Sequence, residues 1–132
     1  MQGYEETETF ARHVREVPSV RRFVRAALAG HPEASDAELL ACELATNAVR
    51  HACDAAKVTV TVAVSGMTVH VAVVDDGIAG VPHWRDPADD DDAEGGRGFR
   101  LVNELAARWG FLREKAQART CLWFELGSGG PA

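Results

Sequence analysis

Glu43-Leu44-Ala45-Thr46-Asn47-Ala48-Val49-Arg50-His51-Ala52 organises the reading of this chain, because an aspartate-bearing turn and a Gly-x-Gly turn follow it in order. Its apolar spacing is helical, and residues four apart on a helix share a face. Glu43 and Asn47 are therefore expected to point the same way, with Arg50 and Asp54 one turn further on. A carboxylate, a neutral amide and a guanidinium so arranged can orient a hydroxyl, ligate Mg²⁺ and contact a phosphate. That combination points to a nucleotide site.

Working outward, Ser35 or Asp36 can cap this helix, which should carry Leu39, Leu40, Leu44, Ala45, Ala48 and Val49 inward and run to about Cys53. Before it, Pro18 opens an amphipathic helix with Val20, Phe23, Val24, Ala27 and Leu28 on one face, and Gly30-His31-Pro32 stops it. Thr7 to Arg12 reads as a short edge strand. After the central phrase, Val58 to Val64 alternates at period two, and Ser65-Gly66 turns it back into Val69 to Val74, a strong hairpin signal.

Asp75-Asp76-Gly77-Ile78-Ala79-Gly80-Val81-Pro82 reads as a turn in which the strand stops. His83 to Gly95, with Asp89-Asp90-Asp91-Asp92, reads as a mobile loop. Gly95-Gly96-Arg97-Gly98 should open a third helix whose stripe is Phe99, Leu101, Val102, Leu105 and Ala106. Trp109 to Leu112 and Thr120 to Leu126 look like closing strands, and the residues from about 127 like a frayed tail. This order predicts an α+β, two-layer α/β sandwich, with helices on one face of a mostly antiparallel or mixed sheet.

Composition narrows the function classes. At 132 residues the chain suits one domain spanning 1–132. Its 14 basic and 20 acidic residues give a net charge of −6, and without a Lys/Arg cluster nucleic acid is not expected as a partner. The acidic start Met1-Gln2-Gly3-Tyr4-Glu5-Glu6 lacks the features of a signal peptide, and no apolar run is long enough for a bilayer, so the expectation is a cytoplasmic protein with no membrane partner. Cys42, Cys53 and Cys121 show neither C-x-x-C spacing nor an even count, and read as small buried thiols. His31, His70 and His83 lie on different elements without metal spacing. The Walker pattern is absent, which excludes a P-loop.

Singly, each motif is weak, since E-x-x-x-N occurs on solvated helix faces and an aspartate after a strand is usually a turn-former. Together and in order, the three resemble the N, G1 and G2 boxes of the GHKL superfamily of ATPases and kinases that includes gyrase, MutL and histidine kinases. The central phrase, with Gly96-Arg97-Gly98-Phe99-Arg100-Leu101-Val102 and Leu122-Trp123-Phe124-Glu125-Leu126, is similar to the small single-domain branch of bacterial anti-sigma-factor serine/threonine kinases and their stand-alone ATP-binding relatives. The resemblance covers about residues 5 to 127.

That resemblance implies a Bergerat-type sandwich binding ATP and Mg²⁺. Asn47 would ligate the metal, a hard oxygen for a hard cation. Glu43 would be the general base that deprotonates a serine hydroxyl or a water. Arg50 would touch phosphate, and His51 would lie near the nucleotide. Asp75 would accept a hydrogen bond from the adenine amino group, and Gly77 would let the backbone approach the base. Gly96 and Gly98, with Arg97 and Phe99 in the same turn, would bring backbone N–H groups and a helix N-terminus to the phosphates.

Two departures stand out. The family pattern D-x-G-x-G has Ala79 at its second glycine, so an alternative register gives Asp76 the adenine role. The resemblance favours Asp75, because Val71 and Val73 at alternate positions before it match the family's strand ending. The aspartate run falls in the lid between the boxes, where carboxylates oppose a triphosphate. The resemblance implies a sigma factor and an anti-sigma-factor antagonist as protein partners, and a homodimer with Phe10 or Trp109 at its interface. The alternative is a catalytically weak nucleotide-sensing module that binds proteins.

Overall fold

Valines alternating with small or polar residues make a strand with one dry face, and a hairpin of two such strands forms the centre of this protein. The computed structural model describes residues 3–50, 53–76, 101–114 and 119–127. The hairpin comprises β2 (Cys53–Ser65) and β3 (Thr68–Asp76), paired antiparallel from Lys57 opposite Asp76 to Ser65 opposite Thr68. Gly66 makes the turn at φ 61°, a conformation that a side chain disfavours. β1 (Tyr4–Arg12) joins on one side, while β5 (Arg119–Leu126) and then β4 (Arg108–Glu114) join on the other. The sheet order is β1-β2-β3-β5-β4, and every pairing among the described residues is antiparallel. The expected edge strand is therefore present, three residues longer at its start, and carries hydroxyl pairs Thr7–Thr61 and Thr9–Thr59 across to β2.

Both long helices lie on the face to which Val58, Val60, Val62, Val69, Val71, Val73, Leu122, Phe124 and Leu126 point. α1 (Val17–Ala27) places Pro18 in its first turn, where a missing N–H costs nothing, and ends before Gly30 at φ 83°. Its buried stripe of Val20, Val24, Ala27 and Leu28 is the one expected, and Phe23 meets Phe10 edge-on at 6.1 Å between ring centres. Phe10, expected at a homodimer interface, is thus a core residue, while Trp109 is half-buried and packs against the core on one side.

α2 (Ala34–Ala48) departs from expectation at both ends. Glu33 is the N-cap residue, so Ser35 and Asp36 sit inside the first turn and cap nothing. His31 orders the entry: its Nδ1 accepts the Glu33 N–H at 3.0 Å, and its Nε2–H donates to the Gly66 carbonyl at 3.0 Å. At the other end the C-cap is Val49, not Cys53, which leaves Arg50 past the helix and Asp54 on β2. The inward face is Ala37, Leu40, Ala41, Leu44, Ala45 and Ala48, whereas Leu39 is 42% exposed because it lies between Ala37 and Leu40, off that i, i+3, i+4 series. Likewise, residues 101–105 are helical and bury Val102, with Leu105 turned outward.

On the opposite sheet face, the Trp123 indole covers Gly110 and stacks on His70 at 5.3 Å. Cys42 and Cys121 are half-buried and form no disulfide. No helix among the described residues is long and apolar enough to cross a membrane. The loop expected over 83–95 and the tail beyond residue 127 lie outside the described residues.

Glu38 ties the two helices together by accepting from Arg25 and Arg21, and these partners, the Arg25 hydrogen bond foremost, hold its carboxyl below the usual carboxylate range. Burial pushes Glu125 upward, but hydrogen bonds from Arg108 and His70 outweigh it and leave its pKa depressed. A carboxylate with a depressed folded-state pKa adds stability above its unfolded pKa, about 4.3 for glutamate, that is lost as pH falls through the folded value. Stability measured by urea denaturation is therefore expected to decline below about pH 4.3, and less steeply in Glu38→Gln. In the same assay at neutral pH, Leu40→Ala should cost about 2–5 kcal/mol and its exposed neighbour Leu39→Ala about 0.5 kcal/mol or less.

Candidate nucleotide site

A sheet face built from valine, leucine and phenylalanine leaves little place for polar groups. Among the described residues the buried polar or charged ones are Arg12, Asp75 and Thr120. They lie at one end of the inward face. Asp75 occupies the last inward position of β3 after Val69, Val71 and Val73, directly opposite Val58 on β2 and Thr120 on β5. Arg12 ends β1 where the register with β2 shifts between Ala11 and Arg12, leaving Arg12 opposite Cys53. From there it reaches across β2, and its Nη1 donates to Asp75 Oδ1 at 3.3 Å. Both side chains are out of water, at 7% and 1% exposure.

Asp75 and Asp76 were expected in a turn. Both belong to β3, because antiparallel pairing with β2 and β5 continues through Asp76. Strand parity puts the two aspartates on opposite sheet faces: Asp75 takes the inward position, and Asp76 the outward one.

The helix contributes from its margin. Glu43 and Asn47, one turn apart on α2, are each half-buried beside the inward residues Leu44 and Ala48. The expected shared orientation is thereby met. Thr46 between them turns its hydroxyl back to the Cys42 carbonyl at 2.7 Å. Arg50 is exposed, and its place after the helix end means that it does not extend the Glu43/Asn47 row. His51, Gly77, Gly96, Arg97, Gly98 and Phe99 lie outside the described residues.

As a donor set for a hard cation, Asn47 offers one neutral amide oxygen, which suits Mg²⁺ held mainly by phosphate oxygens and water. No group of three or more His, Cys, Asp or Glu side chains among the described residues could hold a metal by itself. A separate groove of about 530 Å³ between β1 and α1, lined by Glu6, Glu8, Arg22 and Phe23 among others, shares no residue with this cluster.

Residues 10–126 match the Histidine kinase-like ATPase domain. The chain belongs to that family. No curated protein matches the chain. Membership makes this a histidine kinase-like ATPase domain and an ATP-binding one, and the matched span takes in β1 from Phe10 onward, α1, α2 and the sheet through β5.

Sequence reasoning missed Arg12 and Thr120. Parity could have found both: Arg12 follows inward Phe10 by two residues, and Thr120 precedes inward Leu122, Phe124 and Leu126 at the same spacing. A charged side chain at an inward strand position is the signal to follow. Removing one partner of a buried ion pair strands the other charge, so Arg12→Met and Asp75→Val should each destabilise by about 3–5 kcal/mol. The double variant should cost less than the sum of the two, measured as a double-mutant cycle in urea.

Proposed function

We propose that this histidine kinase-like ATPase domain is a serine/threonine kinase of the anti-sigma-factor type, which transfers the γ-phosphate of ATP to a serine of an antagonist protein and thereby controls a sigma factor. The observation carrying this reading is the Glu43/Asn47 pair, one turn apart at the margin of α2 and so accessible beside a packed core, in a domain whose inward sheet face ends in buried Asp75.

Each residue has one task. Asp75 accepts the adenine 6-amino N–H, which favours ATP over GTP because guanine presents an oxygen there. Asn47 is the residue to hold Mg²⁺ through its amide oxygen. When bound, the cation neutralises phosphate charge. Glu43 takes the proton from the serine hydroxyl as its oxygen bonds to the γ-phosphorus. The bond from that phosphorus to the bridging β–γ oxygen breaks, and ADP leaves with the electron pair. Gly77, the Gly96-Arg97-Gly98-Phe99 turn, Arg50 and His51 are assigned to base and phosphate contacts by family resemblance. Self-association, also implied by resemblance, would use surfaces other than core Phe10.

Transfer of ³²P from γ-labelled ATP to candidate acceptor domains tests the proposal. Glu43→Ala should bind ATP nearly as wild type while transfer falls about a hundredfold or more. If wild type labels no acceptor yet distinguishes ATP from ADP in binding a partner, the protein is a nucleotide sensor. By calorimetry, Asn47→Ala should weaken ATP binding in Mg²⁺ and leave Mg-free binding close to wild type, since its amide acts through the metal. An unchanged Mg²⁺ dependence removes Asn47 from that role.

A further inference from the structure

We propose that Arg12 is a positioning residue of the base site: through its hydrogen bond to Asp75 it keeps that carboxylate ionised and fixed in orientation, so that discrimination between 6-amino and 6-oxo purine nucleotides depends on a residue that does not itself contact the base. The proposal rests on the reading of Asp75 as the adenine acceptor.

A carboxylate at 1% exposure beside Val58 is shielded from bulk water, and burial of that kind disfavours the charged form unless partners stabilise it. The protonation state decides which purine fits. Ionised, Asp75 only accepts, which suits the 6-amino N–H of adenine and repels the 6-oxo oxygen of hypoxanthine or guanine. Protonated, it carries an O–H donor, and the 6-oxo oxygen becomes an acceptable partner. Arg12 supplies a positive charge to it from two strands away, through a planar guanidinium suited to a fixed carboxylate contact. An ionised carboxylate offers about four lone-pair sites, so the contact at Oδ1 is compatible with an incoming N–H. Arg12 is also half of an element that packing alone does not require. Phe10, two residues earlier on the same parity, buries an aromatic ring, and an apolar residue at position 12 would continue that pattern.

The test is calorimetry of Mg-ATP and Mg-ITP on the full chain, because inosine differs from adenosine by a 6-oxo group in place of the 6-amino group. Wild type should prefer ATP by about tenfold or more, and Arg12→Met should narrow this to within about threefold, whereas Arg12→Lys, which retains the charge, should keep most of it. A purely structural salt bridge would lower both affinities together and leave their ratio alone. Asp75→Asn separates the two levels of the argument. If Asp75→Asn loses the preference and Arg12→Met retains it, the role given to Arg12 is overturned and Asp75 remains the reader. If Asp75→Asn keeps the wild-type preference, or wild type has none, the reading of Asp75 falls and this proposal falls with it. Should Arg12→Met not fold, Arg12→Gln keeps much of the length and an amide donor but removes the charge: a narrowed ratio supports the proposal, and an unchanged one overturns it.

Discussion

The packing of α1 and α2 on the inward valines of β2 and β3 is the constraint from which the rest of this domain follows. Burying one aliphatic side chain is worth about 1.5–3 kcal/mol, whereas an exposed ion pair is worth about 0–1 kcal/mol. The contacts of Glu38 with Arg21 and Arg25 therefore orient the helices, but the seam of Val24, Leu28, Leu40 and Leu44 against Val60, Val62 and Val71 holds them. Because a strand has period two and each sheet residue has only one inward neighbour in two, this seam also decides which residues of β1 and β5 turn inward.

Against that apolar rule, the Arg12–Asp75 contact is an exception. A buried ion pair returns little net stability, and replacing both partners with well-packed apolar groups is often neutral or better. A fold optimised only for its core has no use for Arg12, Asp75 and Thr120 on the face that carries Val71, Val73 and Leu122. Their clustering at one end of the sheet is the feature on which the proposed base site rests, since in a dry environment each polar contact discriminates more strongly than in water.

α2 couples the two requirements. Its inward alanines and leucines lock the helix on β3, and the same rigid cylinder carries Glu43 and Asn47 at its margin. Residues on a packed helix are held more closely than residues on a loop, which suits the metal and hydroxyl contacts proposed for Asn47 and Glu43. The alanine-rich inward face, with Ala37, Ala41, Ala45 and Ala48, lets the helix lie close to the sheet and keeps that margin near it.

Local periodicity determined much of this from the chain alone. The β2–β3 hairpin, the α1 stripe, the closing strands and the phrase holding Glu43 and Asn47 were legible because alternation at two or 3.6 residues is a local property that tertiary structure then obeys. Tertiary structure decided the rest. Whether Ser35 caps a helix depends on where His31 anchors the preceding turn to Gly66, and whether Asp75 ends a strand depends on partners at Lys57 to Thr59 and Arg119 to Cys121. Leu39 and Leu40 are equally apolar, and only the sheet beneath α2 makes one core and the other surface. The meeting of Arg12 with Asp75, 63 residues apart in the chain, could not be read from either neighbourhood, because it exists only once β2 has placed β1 and β3 on its two sides.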